Sequence, residues 1–82
     1  MKILFFASLR EKLNTNQESW TDMHNVSTTK ELLNNLQERG EPWLSALNNP
    51  QLIISVNQEI SDLKTLIKLG DEVAFFPPVT GG

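Results

Sequence analysis

Clusters of apolar residues divide the 82-residue chain into short strands and one clear helix. Residues 2–7 (Lys-Ile-Leu-Phe-Phe-Ala) and residues 72–76 (Glu-Val-Ala-Phe-Phe) are compact and rich in residues that favour strands. Because their apolar residues are consecutive, both runs predict strands that are buried on both faces. Weaker patterns predict three further strands, at residues 17–24, at residues 51–56 and around Ile60.

The main helix is predicted over residues 28–39. Thr28 and Glu31 have the spacing of a capping box, in which each side chain bonds an unpaired backbone N–H of the first turn. Three leucines then share one helical face: Leu32, Leu33 and Leu36. Gly40 suits the left-handed conformation that ends helices, and Pro42 prevents the helix from continuing.

Shorter elements connect these segments. Ser8–Leu13 predicts a helical turn with Ser8 as its N-cap and Glu11 three residues later. Residues 43–47 predict a second helical turn that closes one end of the core. Residues 63–69 are irregular, and Gly70–Asp71 turns the chain into the last strand. Taken in order, the elements predict a single small α+β domain.

Composition excludes several classes of function. The net charge is −3 and the seven basic residues are scattered, so a nucleic-acid partner is not expected. No apolar stretch has the roughly 20 residues of a membrane span, and no signal-peptide pattern follows Lys2, so we expect a cytoplasmic protein without a membrane partner. Asp71 and Glu72 flank a turn and are expected to be solvated.

No active site can be assembled from the side chains of the chain. Cysteine is absent, which excludes disulfides, thiolate metal sites and a cysteine nucleophile. His24 is the only histidine and has no metal-ligand spacing around it, so no metal site is predicted. None of the serines lies in a nucleophile-elbow motif. The domain is therefore not expected to be a catalyst by itself.

The last six residues, 77–82, have the composition of a thin tail. Pro77 and Pro78 lack the N–H that a sheet requires, so strand pairing should stop there and the chain should continue extended. Fully extended, the tail spans roughly 20 Å, at about 3.3 Å per residue. Gly81 and Gly82 have no Cβ and fit a channel too narrow for other residues. The tail could therefore enter a deep pocket of another protein.

The segment from Glu72 to Gly82 (EVAFFPPVTGG) resembles the C-terminal signature of the molybdopterin synthase small-subunit family. Residues 1–7 and 54–59 also resemble that family, and length and motif order agree over the whole chain. The resemblance implies a β-grasp (ubiquitin-like) fold over residues 1–76, with a mixed sheet packed on one main helix. The first and last strands would lie parallel at its centre, and residues 77–82 would form an extended tail.

The resemblance also implies a chemistry for the C-terminal carboxylate. An adenylyltransferase related to ubiquitin-activating enzymes would use ATP to adenylate Gly82, and a sulfur donor protein would convert it to a thiocarboxylate. The tail would then insert into the large, catalytic subunit of a heterotetrameric synthase and give its sulfur to precursor Z (cyclic pyranopterin monophosphate). Gly81 would allow the tail to pass through a narrow channel. The register of the tail in its partner would be set by Thr80, Val79, Pro78 and Pro77. No permanently bound cofactor is implied.

The predicted fold also raises a question about the aromatic residues of the two central strands. One helix covers only one face of a sheet, although both strands are apolar on both faces. We therefore expect one of Phe5 and Phe6, together with one of Phe75 and Phe76, to form a hydrophobic docking patch near the tail. The alternative is that loops and residues 43–47 cover these side chains.

Three other functions remain open at this stage. A sulfur carrier of thiamine synthesis shares the fold, the Gly-Gly end and the activation chemistry, although the run Phe75-Phe-Pro-Pro78 favours the molybdopterin family. A ubiquitin-like modifier would instead join its tail to lysines of other proteins. A purely structural interaction module would not need Gly82 at all.

Overall fold

Five short strands and three helices make up the computed structural model, which describes residues 1–78. The elements in chain order are β1 (Lys2–Phe5), α1 (Ser8–Leu13), β2 (Gln17–Ser19), α2 (Thr29–Gln37), α3 (Trp43–Leu47), β3 (Ile53–Val56), β4 (Glu59–Ser61) and β5 (Glu72–Phe76). Within the described part of the chain, no helix is long and apolar enough to cross a membrane.

The strands form one mixed sheet in the order β2-β1-β5-β3-β4. β1 pairs with β5 in parallel, and the other three pairings are antiparallel. The hairpin between β3 and β4 turns through Asn57 and Gln58, which both have positive φ, as a two-residue type I′ turn requires. The predicted mixed sheet with parallel first and last strands is confirmed, and β5 lies at its centre.

The core lies between one face of this sheet and the helices. Ile3 and Phe5 of β1, with Val73 and Phe75 of β5, are at most 1% exposed and point to this covered face. Leu32 and Leu36 of α2 and Leu47 of α3 pack into the same core cluster. The sequence-based expectation that both strands are buried on both faces was wrong for β1, where exposure alternates from one residue to the next.

Helix α2 begins as its sequence predicts. The Thr28 hydroxyl accepts a hydrogen bond from the Glu31 N–H (3.2 Å), and the Glu31 carboxylate accepts one from the Thr28 N–H (3.1 Å). The predicted capping box is therefore confirmed. The helix ends at Gln37, and Gly40 adopts a φ of +86°, which favours glycine.

Two local predictions were wrong. The N-cap of α1 is Ala7, with φ 54° and ψ −130°, whereas Ser8 is the first helical residue and its side chain forms no capping bond. Strand β2 ends at Ser19 and does not continue to residue 24. His24 and Asn25 have φ of 51° and 62°, in the left-handed region that a strand does not contain.

Candidate functional site

The candidate site is the end of β5 together with the uncovered face of the sheet. Pro77 and Pro78 follow β5 directly and are half-buried. The predicted tail residues Val79, Thr80, Gly81 and Gly82 lie outside the described residues. The described part of the predicted site is the segment from which the tail leaves, at Phe76, Pro77 and Pro78.

The docking patch was expected to take one phenylalanine from each of two pairs, and the member of each pair that belongs to the core is Phe5 or Phe75. Phe5 and Phe75 are 1% and 0% exposed, and their rings stack with centroids 5.8 Å apart on the covered face. The ring of Trp43 packs edge-on against Phe5, with centroids 5.4 Å apart. Phe5 and Phe75 are thus removed from the predicted docking set, because side chains without exposed surface cannot contact a partner.

The other two phenylalanines form a second stack on the opposite face. The rings of Phe6 and Phe76 are parallel within 4°, with centroids 4.6 Å apart. Phe6 is 37% exposed and Phe76 is half-buried. The Phe6 N–H also donates to the Phe75 carbonyl (3.1 Å), which extends the β1–β5 pairing to the last residues before the prolines. Phe6 and Phe76 therefore lie at the base of the tail.

Ala7 turns the chain sharply immediately after this stack. Its φ of 54° with ψ of −130° lies in a region that a residue with a Cβ rarely adopts. The Phe6 carbonyl then accepts the Leu9 N–H (3.1 Å), and the Ala7 carbonyl accepts the Arg10 N–H (3.1 Å). Phe6 thus stays in line with the sheet, while Ala7, the next residue, is already the N-cap of helix α1.

A shallow depression lies beside the Phe6–Phe76 stack on the same face. One row of residues crosses four strands in register: Leu4 pairs with Ala74, Ala74 with Ser55, and Ser55 with Ile60. The two middle side chains are small and the two outer ones are large, so the row is low at its centre. We call this feature the open-face depression; it has a volume of about 280 Å³. Sequence reasoning missed it because it depends on the register of four strands.

The opposite end of β5 is held by polar groups. The Asp71 carboxylate accepts hydrogen bonds from the Asn57 side-chain amide (3.1 Å) and from the Lys68 N–H (2.9 Å). Asn57 also forms two hydrogen bonds with the backbone of Glu72. Its side-chain oxygen accepts from the Glu72 N–H (3.0 Å), and its backbone N–H donates to the Glu72 carbonyl (2.7 Å). These bonds fix the position where β5 begins.

The prediction that Asp71 is solvated was wrong, because Asp71 is 6% exposed. The hydrogen bond from Asn57 lowers the pKa of Asp71, and the bonds and positive charge of Lys68 act in the same direction, against the effect of burial. Asp71 is therefore a structural carboxylate that stays ionised through its donors. Glu72, by contrast, is half-buried at the edge of the open-face depression.

Within residues 1–78, no three acidic, histidine or cysteine side chains are grouped so that they could hold a metal ion. What the arrangement offers is a central strand that is firmly fixed at its start and ends beside an exposed aromatic stack. Such a geometry suits the presentation of the chain that follows Phe76 to another protein.

Comparison with known proteins agrees with this geometry. The sequence model of the ThiS family matches residues 3–82. The molybdopterin synthase sulfur carrier subunit of Haemophilus influenzae is 37% identical over 82 residues, which cover 100% of this chain and 99% of that protein. These similarities confirm the sequence-based resemblance.

Two solved structures share the fold. SAMP1, a small archaeal modifier protein of Haloferax volcanii, has a TM-score of 0.76 at 27% identity, covering 100% of this chain and 98% of that one. The complex of subunits 1 and 2 of the molybdopterin-converting factor from Helicobacter pylori contains a chain with a TM-score of 0.67 at 27% identity, covering 99% and 96%. The predicted β-grasp fold is confirmed.

Proposed function

This chain belongs to the ThiS family and, within it, to the molybdopterin synthase sulfur carrier subunits, and on that premise we propose that Gly82 carries the sulfur as a thiocarboxylate. The chain has no cysteine, so sulfur cannot travel on a side-chain thiol. The C-terminal carboxylate is the remaining position for it. A carboxylate is unreactive at neutral pH and must be activated by a separate enzyme.

The proposed reaction has three steps. An adenylyltransferase joins a Gly82 carboxylate oxygen to the α-phosphorus of ATP and releases pyrophosphate. A sulfur donor protein then supplies sulfur at the oxidation level of sulfide, which bonds to the carbonyl carbon of Gly82. AMP leaves with the carboxylate oxygen to which it was joined, and a thiocarboxylate remains. In the large subunit, the sulfur of the thiocarboxylate attacks a carbon of precursor Z that carries oxygen, and the carbon–oxygen bond breaks as that oxygen leaves with its electron pair and takes up a proton. Water then cleaves the acyl–sulfur bond, so that the sulfur stays on the pterin and the carboxylate is restored. Two such transfers supply the two sulfurs of the dithiolene.

The observation that carries this proposal is the placement of the tail's origin. β5 lies at the centre of the sheet, and it ends at Phe76 in direct sequence with Pro77 and Pro78. The exposed Phe6–Phe76 stack adjoins the same point. A partner that covers this stack therefore receives the tail at a fixed position relative to its own surface.

We propose the large, catalytic synthase subunit as the partner that docks on the Phe6–Phe76 stack. The Helicobacter pylori structure, which holds both subunits of a molybdopterin-converting factor, supports this choice. The activating enzyme and the sulfur donor would approach the same tail in turn. We further propose that two copies of each subunit form a heterotetramer in the cytoplasm, and that ATP serves only the activating step.

The experiment that tests the carrier chemistry is the intact mass of the protein from its native host, purified with an unmodified C-terminus. We expect a species heavier than the plain chain by the difference between sulfur and oxygen. Deletion of Gly82 should abolish this species, whereas Glu59→Gln, a change on the exposed edge strand, should retain it. If only the plain carboxylate is found, even after incubation with ATP, a sulfur source and the host's activating enzyme, the carrier proposal is wrong.

The likeness to the archaeal modifier protein favours a second candidate function, the conjugation of Gly82 to lysines of other proteins. This function uses the same adenylate but ends in an isopeptide bond. Immunoblots of the native host would then show conjugates of higher mass that disappear on deletion of Gly82. The thiocarboxylate species without such conjugates would favour the sulfur carrier.

A further inference from the structure

The open-face depression has two chemically different walls. On the side of the tail, it is bounded by the aromatic rings of Phe6 and Phe76. On the side where β5 begins, it is bounded by Glu72 and Gln58. Glu72 and Phe76 lie at the two ends of β5, roughly 13 Å apart at about 3.3 Å per residue, with Ala74 midway between them. A partner side chain that enters beside the aromatic wall can extend over Ala74 toward Glu72.

The floor of the depression is formed by small side chains. Ala74 and Ser55 lie opposite each other on β5 and β3 and are 4% and 7% exposed. Leu4 and Ile60 rise on either side, and Ile60 is 77% exposed. The floor therefore offers one methyl group and one hydroxyl group between the aliphatic side chains of Leu4 and Ile60.

Two polar groups at the depression lack partners in the described part of the chain. The Glu72 carboxylate takes part in no ion pair or hydrogen bond within residues 1–78, since the bonds of Glu72 to Asn57 involve its backbone. Lys2, its neighbour across the β1–β5 pairing, does not approach within ion-pair distance. The Ser55 hydroxyl likewise forms no hydrogen bond among these residues.

We propose that the open-face depression receives an arginine side chain of the protein that docks on this face. The methylene stem of an arginine covers apolar surface while its guanidinium group keeps its charge, and the planar guanidinium binds a carboxylate through paired N–H donors. Here the stem lies over Ala74 between Leu4 and Ile60. The guanidinium donates to the Glu72 carboxylate and to the Ser55 hydroxyl.

This inference rests on the proposed function, because it takes the docking protein to be the large synthase subunit. It adds a rule of specificity to that function. The Phe6–Phe76 stack attracts any apolar surface, whereas a carboxylate beside it rejects a partner that buries it without a cation. Glu72 would thus select among partners that the aromatic stack alone does not distinguish.

The test is calorimetric titration of the full-length protein with the purified large subunit, for wild type and Glu72→Gln. Glutamine keeps the shape of the side chain but loses its charge. We expect the Kd to rise at least about tenfold, the effect of losing one charge-assisted hydrogen bond in a desolvated contact. The control is Glu59→Gln, which removes the same charge from an exposed position on β4 and should change the Kd by less than about twofold.

A double-mutant cycle identifies the occupant. Each surface arginine of the large subunit is changed to alanine, and its effect is measured with wild type and with Glu72→Gln. One arginine should weaken binding strongly with wild type and have almost no further effect with Glu72→Gln. Fully additive effects for every arginine, or equal affinity of Glu72→Gln and wild type, would overturn the inference. The thiocarboxylate measured by intact mass would still stand in either case.

Discussion

The two ends of β5 are held by opposite kinds of interaction. At its start, Asp71 and Asn57 join the strand to the neighbouring turn through directional hydrogen bonds. At its end, the Phe5–Phe75 and Phe6–Phe76 stacks hold it from both faces of the sheet. At the start, Asp71 is buried and bonded within the chain and Glu72 keeps an unpaired carboxylate among the described residues, whereas the end exposes one of its two aromatic stacks.

This difference separates the contacts that stabilise the strand from the surface that a partner can cover. The Asp71 and Asn57 side chains at the start already bond within the chain, which leaves the Glu72 carboxylate as the group there that a partner can bind. The aromatic surface at the end gains free energy when a partner removes it from water. A carrier whose tail must leave the domain at a fixed point benefits from this division, because docking need not disturb the bonds that fix β5.

The largest expected effect comes from removing the buried stack with Phe75→Ala. Truncation of a fully buried phenylalanine should lower the free energy of unfolding by about 3–5 kcal/mol. The matched variant Phe76→Ala, one residue further along, should cost only about 1 kcal/mol, because Phe76 is half-buried and loses mainly its stacking partner. Urea unfolding followed by tryptophan fluorescence measures both. Equal losses would show that the two faces at this end do not differ as described.

The next effect comes from the start of the strand, with Asp71→Asn. An amide in this position can accept from Asn57 or from the Lys68 N–H, but its own NH₂ group then faces the other donor. The free energy of unfolding should fall by about 1–3 kcal/mol, the cost of a buried donor left unpaired. The same urea experiment provides the value, and Asp62→Asn, at an exposed loop position, serves as the control. A loss as small as that of the control would show that the Asp71 bonds contribute little.

A smaller effect is expected from acid. The donors around Asp71 lower its pKa below the ordinary value of 3.8, so the stability it contributes is complete above that pH and is lost as the pH falls through the lower, folded-state pKa. The difference in unfolding free energy between wild type and Asp71→Asn should therefore shrink below pH 3.8. Other carboxylates are common to both proteins and cancel. A difference that stays constant into strong acid would contradict this assignment.

The smallest effect should stabilise the end of the strand pair. Ala7→Gly removes the Cβ that makes φ 54° with ψ −130° unfavourable. Part of the gain is offset by the greater freedom of glycine in the unfolded chain, so we expect about 0.5 kcal/mol of added stability. Ala46→Gly, inside helix α3, should instead destabilise the protein by about 1 kcal/mol. Thermal unfolding distinguishes the two signs, and a loss with Ala7→Gly would show that Ala7 is not strained.

Much of the fold follows from local sequence. The capping box at Thr28 and Glu31 is decided within a few residues, and the structure has it as predicted. Gly40 has the expected left-handed conformation, although α2 ends at Gln37, before the predicted end at Arg39. The order of strands followed from the resemblance of the tail segment. The prediction of Ser8 as the N-cap of α1 was wrong, because Ala7 before it adopts an unusual backbone conformation. The preference of serine for N-caps does not indicate such a conformation.

The features that the sequence did not predict depend on contacts between residues that are far apart in the chain. A run such as Ile3-Leu-Phe-Phe6 is apolar at every position, so sequence alone could not say which phenylalanine faces the helices. The burial of Asp71 depends on Asn57, fourteen residues earlier. The depression beside Glu72 exists only because small residues of two strands come into register.

The parallel pairing of β1 with β5 also affects how the protein folds. The centre of the sheet is completed by residues 72–76, so a chain still being synthesised holds β1 and β3 without the strand that joins them. The contacts that close the sheet are among the longest in sequence, which makes this step slow compared with the formation of the helices. Folding is therefore expected to follow release of β5 from the ribosome. Only a chain that has been synthesised beyond Phe76 can display both the Phe6–Phe76 stack on the open face of the sheet and the segment that follows β5.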